Sequence, residues 1–201
     1  MFFSGKLVQM EALDKPSLKA GRVYRTREFG RWGKNAPRLA KRLVRDGTLV
    51  QLAPGLYVRP RRGRFGAAPP TDEELMRAFL GGTSFVFTGP ERWNALGLGT
   101  TAVSPAPVVY NTKRTGRFQL GGRPFELRRV GFPKTPPKEW FVVDLFEHAE
   151  QAGASRAELT QALTRASARG AFDVPRLLQM AAAYGTRRTR DLFAGALSVS
   201  Q

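Results

Sequence analysis

Residues 26–60 read TREFGRWGKNAPRLAKRLVRDGTLVQLAPGLYVRP. At about 100° per residue, the segment 36–46 separates into two faces. Leu39, Ala40, Leu43 and Val44 share one side, and Arg38, Lys41, Arg42 and Arg45 share the other. Asn35 is placed to cap the helix, Pro37 falls in the first turn where its missing N–H costs nothing, and Gly47 follows the C-terminus. Upstream, residues 26–29 read as a capped one-turn helix. A glycine-rich loop holding Arg31 and Trp32 follows, with Trp32 packing under the basic helix. Downstream, alternating strands at 48–52 and 56–59 are joined through Ala53-Pro54-Gly55, a hairpin signal. This order predicts a winged helix-turn-helix that binds duplex DNA.

In such a fold the second helix enters the major groove, which assigns Asn35, Arg38 and Arg42 to base edges, with Arg favouring guanine and Asn adenine. Lys34, Lys41, Arg45, Arg61 and Arg62 are assigned to phosphates, which set register without reading sequence. Arg59 and Arg64 complete the group of arginines placed beyond the hairpin. The bland alternative is a solvated basic face, and it is the flanking turn and hairpin that argue against it.

Charge points the same way. The 201 residues carry a formal net charge of +17, and residues 1–65 hold 16 Lys/Arg against 4 Asp/Glu, while residues 66–201 hold 17 against 12. A polyanion is drawn mainly to the first third, and its binding should weaken steeply with salt. The chain has no cysteine, which excludes disulfides and thiolate metal sites. Residues 1–3 are too short for the apolar core of a signal peptide, and no apolar run approaches the roughly 20 residues that span a bilayer. A cytoplasmic protein, nucleoid-associated when bound to DNA and without a membrane partner, is the expectation.

The expected fold class is α+β, with a winged helix-turn-helix domain over residues 1–65 and a mixed α/β domain with a helical tail over 66–201. The first domain opens with a short helix at 5–13 and an extended entry at Val23-Tyr24. Residues 60–70, PRRGRFGAAPP, read as a linker. A small sheet is expected within 84–130: a strand at 85–87, a short helix at 91–96, a strand at 108–110, and a hairpin of 118–120 with 125–130 across Gly121-Gly122. Thr71/Glu74 and Ser155/Glu158 have capping-box spacing, while Asp173 and Thr186 are placed to cap the last helices. The helical tail covers 140–197, with a start at Trp140 that is either extended or helical.

Two segments together, RLAKRLVRDGTLVQLAPGLYVRP (residues 38–60) and SFVFTGPERWNALGLGT (84–100), carry a family likeness, with weaker support from VVYNTKRTGRF (108–118) and the helical tail. The sequence resembles the AbiEi-like antitoxins, bacterial transcriptional regulators of AbiE-type toxin–antitoxin systems. The resemblance implies a winged helix that binds inverted repeats in operator DNA and represses its own operon. It also implies a C-terminal domain that neutralises a cognate nucleotidyltransferase-type toxin. Only Arg38, Lys41, Arg42, Arg45 and the arginines after the hairpin match a binding motif of that family.

Enzymatic readings find little support, and no catalytic residue, metal or cofactor is expected. His148 is the single histidine and reads as half of a surface i,i+4 pair with Asp144. Gly97-Leu98-Gly99 and Gly121-Gly122 lack the strand–GxxxxGK–helix context of a phosphate loop. Arg92 and Asn94 could anchor a partner protein, with Trp93 and Leu96 as core. Arg187, Arg188 and Arg190 stand at a helix start, where cations oppose the helix dipole unless an anion lies near; they are the other partner-binding candidates. The rival functions are a winged-helix regulator whose second domain dimerises or senses a ligand, and an RNA-binding or nuclease-like protein.

Overall fold

Strand β1 (Val23–Arg25) runs straight into a 3-10 helix, Thr26–Trp32, and helix α1 (Ala36–Arg45) follows after a short turn. Strands β2 (Val50–Ala53) and β3 (Leu56–Val58) return as an antiparallel hairpin. Because β3 also pairs with β1, the sheet order is β1-β3-β2. Val58 faces both Val23 and Val50, and the register slips between Gln51 and Ala53. The computed structural model describes residues 16–64 and 66–197, so the helix expected at 5–13 lies outside the described residues.

The 3-10 helix takes in Arg31 and Trp32, for which the glycines predict a loop. Packing outweighs the poor helix propensity of Gly30. Phe29 is fully buried, with ring centroids 5.9 Å from Tyr24, 6.1 Å from Trp32 and 5.7 Å from Tyr57. At the other end of this helix, Glu28 accepts the Arg25 N–H at 2.8 Å and pairs with the Arg22 guanidinium at 2.7 Å.

Helix α1 has the expected cap, the Asn35 side chain accepting the Arg38 N–H at 3.1 Å. Its buried residues Leu39, Ala40 and Leu43 join Leu18, Tyr24, Phe29, Leu49 and Tyr57 in one core. A buried leucine of this kind contributes roughly 1.5–3 kcal/mol. The backbone then turns at Gly47, whose φ of +74° suits glycine.

Residues 60–70 are not the linker that their composition suggested. Strands β4 (Arg61–Gly63) and β5 (Gly66–Ala68) pair antiparallel there. A ladder of backbone bonds can form from Gly and Ala, which show no alternating side-chain pattern in the sequence. Helix α2 (Asp72–Leu80) opens on the expected capping box, Thr71 N–H donating to Glu74 Oε2 at 2.8 Å and Glu74 N–H to Thr71 Oγ1 at 3.2 Å. The chain divides into two compact units between Ala78 and Phe79, inside this helix.

The second unit holds a four-stranded sheet of β6 (Phe85–Thr88), β7 (Val108–Asn111), β8 (Gly116–Leu120) and β9 (Arg123–Arg129), in the order β6-β7-β9-β8. Only the β7–β9 pairing is parallel. The short helix α3 (Pro90–Asn94) lies between β6 and β7 in sequence. Helices α4 (Lys138–Glu147), α5 (Arg156–Ala168), α6 (Val174–Tyr184) and α7 (Arg187–Leu197) complete it. The molecule is thus a mixed α+β protein.

Helix α4 is helical from Lys138, which settles the open start at Trp140. Its sequence hides the period because Trp140, Val142, Val143, Leu145 and Phe146 are all buried, as in a helix covered on most sides. Ser155 and Asp173 cap α5 and α6 as expected. The helices close over a core that includes Trp93, Phe146, Leu159, Leu163, Leu177 and Phe193, with the Phe146 and Phe193 rings edge-to-face at 4.8 Å.

Candidate nucleic-acid interface

Amphipathic pattern, cap and core together aim the charge of α1. With Leu39, Ala40 and Leu43 turned into the first unit, Arg38, Lys41, Arg42 and Arg45 are all exposed, as are Lys34 and Asn35. These six residues line one open concavity of about 540 Å³, and Trp32, Gly33 and Leu39 are its uncharged lining. The sequence predicts only a packing role for Trp32. It does pack, 6.4 Å from Tyr24 and 6.1 Å from Phe29, yet it is only half-buried and also faces this concavity. Its two roles are visible in the sequence only as one aromatic next to a basic run.

Asn35 serves as the cap that its position predicts, which competes with its assignment to a base edge. Its Oδ1 is taken up by the Arg38 N–H, one of the orphan donors at the helix start. Its N-cap position signals this in the sequence, since a capping side chain spends its oxygen on the backbone.

Arg59 and Arg61, expected beyond the hairpin, do not line the α1 concavity. The hairpin turn is held at Gly55, whose carbonyl accepts the Thr26 N–H at 3.0 Å. Arg59 lies past the opposite end of β3, where its N–H donates to the Arg22 carbonyl at 3.2 Å and its guanidinium donates to the Leu18 carbonyl. Arg61 lies over Gly21, where a Cβ built on the glycine would meet Arg61 Nη2 at 2.6 Å. Arg62 sits on β4 opposite Ala67. Arg59 and Arg61 thus lie beside residues 18–22, apart from the cations of α1.

In the second unit the Asp144 carboxylate draws together side chains from four elements. The i,i+4 pair with His148 exists, at 3.3 Å, but it is not the surface pair expected, because Asp144 is only 6% exposed. From α4 its carboxylate accepts hydrogen bonds from Thr88 Oγ1 on β6, from Trp93 Nε1 on α3 at 2.9 Å and from Tyr110 Oη on β7 at 2.8 Å. Burial would raise its pKa, but the bonds from His148, Thr88 and Trp93 and the charge of His148 hold it below the usual carboxylate value. Burial likewise opposes the charge on His148, and its bonds to the Asp144 side chain and backbone carry its pKa above the ordinary value. Burial and the neighbouring Asp144 charge push the Tyr110 hydroxyl upward. The set ties α3, α4, β6 and β7 together, each member spending its polar atoms on another.

The remaining partner-binding candidates scatter. Arg92 is exposed, its guanidinium 5.8 Å from the Phe141 ring centroid. Asn94 turns inward, Nδ2 donating to the Ala102 carbonyl at 2.8 Å and Oδ1 buried, which is a loop-holding role and not that of a surface anchor. Arg187, Arg188 and Arg190 are exposed at the start of α7. The anion that such a placement requires is internal. Glu147 Oε1 accepts from Thr186 N–H at 2.8 Å and from Thr186 Oγ1 at 3.1 Å.

Among the described residues, no group of three or more His, Cys, Asp or Glu side chains could hold a metal ion, and no helix is long and apolar enough to cross a membrane. Compared with known proteins, the chain matches no protein-family model and no curated protein sequence.

Proposed function

We propose that this protein is a duplex-DNA-binding regulator that uses the first unit as a winged helix-turn-helix and has no catalytic activity of its own. The observation that carries the reading is the exposure of Arg38, Lys41, Arg42 and Arg45, with Lys34 and Asn35, around one concavity on a helix whose opposite face is buried. Cations held at one surface by a rigid core are what a phosphate backbone and guanine edges require. The element order, from β1 through the 3-10 helix and α1 to a hairpin with sheet order β1-β3-β2, supports the same reading. So does the concentration of positive charge in the first third of the chain.

The resemblance to AbiEi-like antitoxins extends the proposal. The protein would act in the bacterial cytoplasm, bind inverted repeats in its own operator, and neutralise a nucleotidyltransferase-type toxin through residues 66–201.

Fluorescence anisotropy of the full chain against a duplex, a single strand and a double-stranded RNA of the same sequence tests the DNA reading. Tightest binding to the DNA duplex, lost in an Arg38→Ala/Arg42→Ala double variant, is expected. Preference for the single strand or the RNA would sink it. Co-expression with the neighbouring gene product tests the antitoxin half: growth arrest by that product alone and relief by this chain are expected.

A further inference from the structure

The hydrogen-bonding inventory of the α1 face is one-sided. Lys34, Arg38, Lys41, Arg42 and Arg45 are donors only. Asn35 carries the single side-chain acceptor around the concavity, and that oxygen is committed to the Arg38 N–H at 3.1 Å. Asn35 Nδ2 has no partner among the described residues. The nearest carboxylates along the chain are engaged as well. Asp46 Oδ1 accepts the Thr48 N–H at 3.0 Å, and Glu28 is held by Arg22 and Arg25.

Major-groove edges differ in what they ask of such a face. Guanine presents two acceptors, N7 and O6; cytosine presents an amino donor; adenine presents one acceptor beside an amino donor; thymine presents one acceptor and a methyl group. A bidentate asparagine–adenine pair needs the amide oxygen and nitrogen turned together towards one base, and the Asn35 oxygen is turned to the helix start by the Arg38 N–H, which leaves the nitrogen to face outward. The expected adenine contact is therefore replaced by contact to an acceptor.

We infer that the α1 face selects duplex DNA with guanines clustered on one strand, read by donors alone, and that Asn35 reads as a donor. This rests on the duplex-DNA reading above and names its substrate class. Arg38 and Arg42 stand four residues apart, about 6 Å along the helix axis, close to two steps of the roughly 3.4 Å spacing along a DNA strand. Their guanines fall within three consecutive positions.

The test is selection of duplexes from a pool with a randomised core by the full chain, followed by anisotropy titration of the winners. Expected are sites with two guanines within three positions of one strand. Replacing those guanines by 7-deazaguanine, which removes N7 and keeps base pairing, should weaken binding by about tenfold per guanine contacted. Asn35→Asp keeps a capping oxygen, so thermal unfolding should be unchanged. Its added acceptor should lower affinity for the guanine site several-fold and move the selected base at that position towards cytosine. Selected sites without guanine clusters, or indifference to 7-deazaguanine while duplex binding persists, would overturn the inference and leave the DNA reading intact. Failure to retain any duplex at low salt would overturn both.

Discussion

Glu147 and Thr186 close the start of helix α7 by a double contact, the carboxylate Oε1 accepting the Thr186 N–H at 2.8 Å and its hydroxyl at 3.1 Å. Arg187, Arg188 and Arg190 crowd the same helix start, where unopposed cations work against the helix dipole. Arg187 is compensated further only by an exposed pair with Asp191 at 3.7 Å, and such pairs contribute little. Glu147, at the end of α4, therefore supplies both the missing acceptor and the missing negative charge.

Glu147→Gln should retain the acceptor and lose the charge, costing about 0.3–1 kcal/mol. Glu147→Ala loses both and should cost about 1–2 kcal/mol. Urea unfolding of the two variants checks the split. A Glu147→Gln protein of wild-type stability would show that the charge at Glu147 contributes nothing at this helix end, and equal losses in the two variants would show that the acceptor adds nothing beyond the charge.

Asp144→Ala should destabilise the second unit by about 3–5 kcal/mol, because it strands buried donors on Thr88, Trp93 and Tyr110 along with His148. Asp144→Asn restores acceptor capacity without charge and should recover part of that loss. Near-ultraviolet circular dichroism of Trp93 and Tyr110 provides the readout, and a Asp144→Ala protein with wild-type stability would contradict the assignment.

Two pH windows follow from the same pair. The folded state raises the pKa of His148 above 6.5, so its contribution is fully present below 6.5 and is lost as pH rises through the folded value. The folded state lowers the pKa of Asp144 below 3.8, so its contribution is present above 3.8 and is lost as pH falls through the folded value. Melting temperature measured across pH should decline on both sides, and His148→Gln should remove the decline that starts at neutral pH. An unchanged alkaline-side slope in that variant would assign it elsewhere.

On the DNA side, Arg38→Ala and Arg42→Ala should each cost about 1–3 kcal/mol at a selected site and relax base preference there. Lys41→Ala should weaken all duplexes alike and reduce the slope of log K against log salt by about one. Titration of selected and scrambled duplexes at several salt concentrations distinguishes the two behaviours, and a base-selective loss in Lys41→Ala would exchange the roles.

Much of the first unit was legible along the chain. Asn35, Pro37 and the spacing of Leu39, Ala40 and Leu43 marked α1 because a cap and a helical period are local properties. The hairpin turn at Pro54-Gly55 was equally local. The capping boxes at Thr71 and Ser155 were recognisable for the same reason. Residues 60–70 were misread because a ladder of backbone bonds leaves no imprint in Gly and Ala. Trp32 was half-read: one side chain both packs and lines a surface, and periodicity assigns it to one side only.

Which residues carry charge, which face of α1 is apolar and where helices start was written in residue type and short-range spacing, since solvation and capping act over a few residues. Tertiary structure alone decided that Trp32 both packs and lines a surface, that Asp144 is buried under four partners, and that Glu147 meets Thr186. Hydrogen bonds are satisfied by whichever groups the packed elements bring within about 3 Å, and Thr88 and Asp144 stand 56 residues apart in the chain. Local chemistry states what each side chain is able to do; the fold determines with which neighbour it does so.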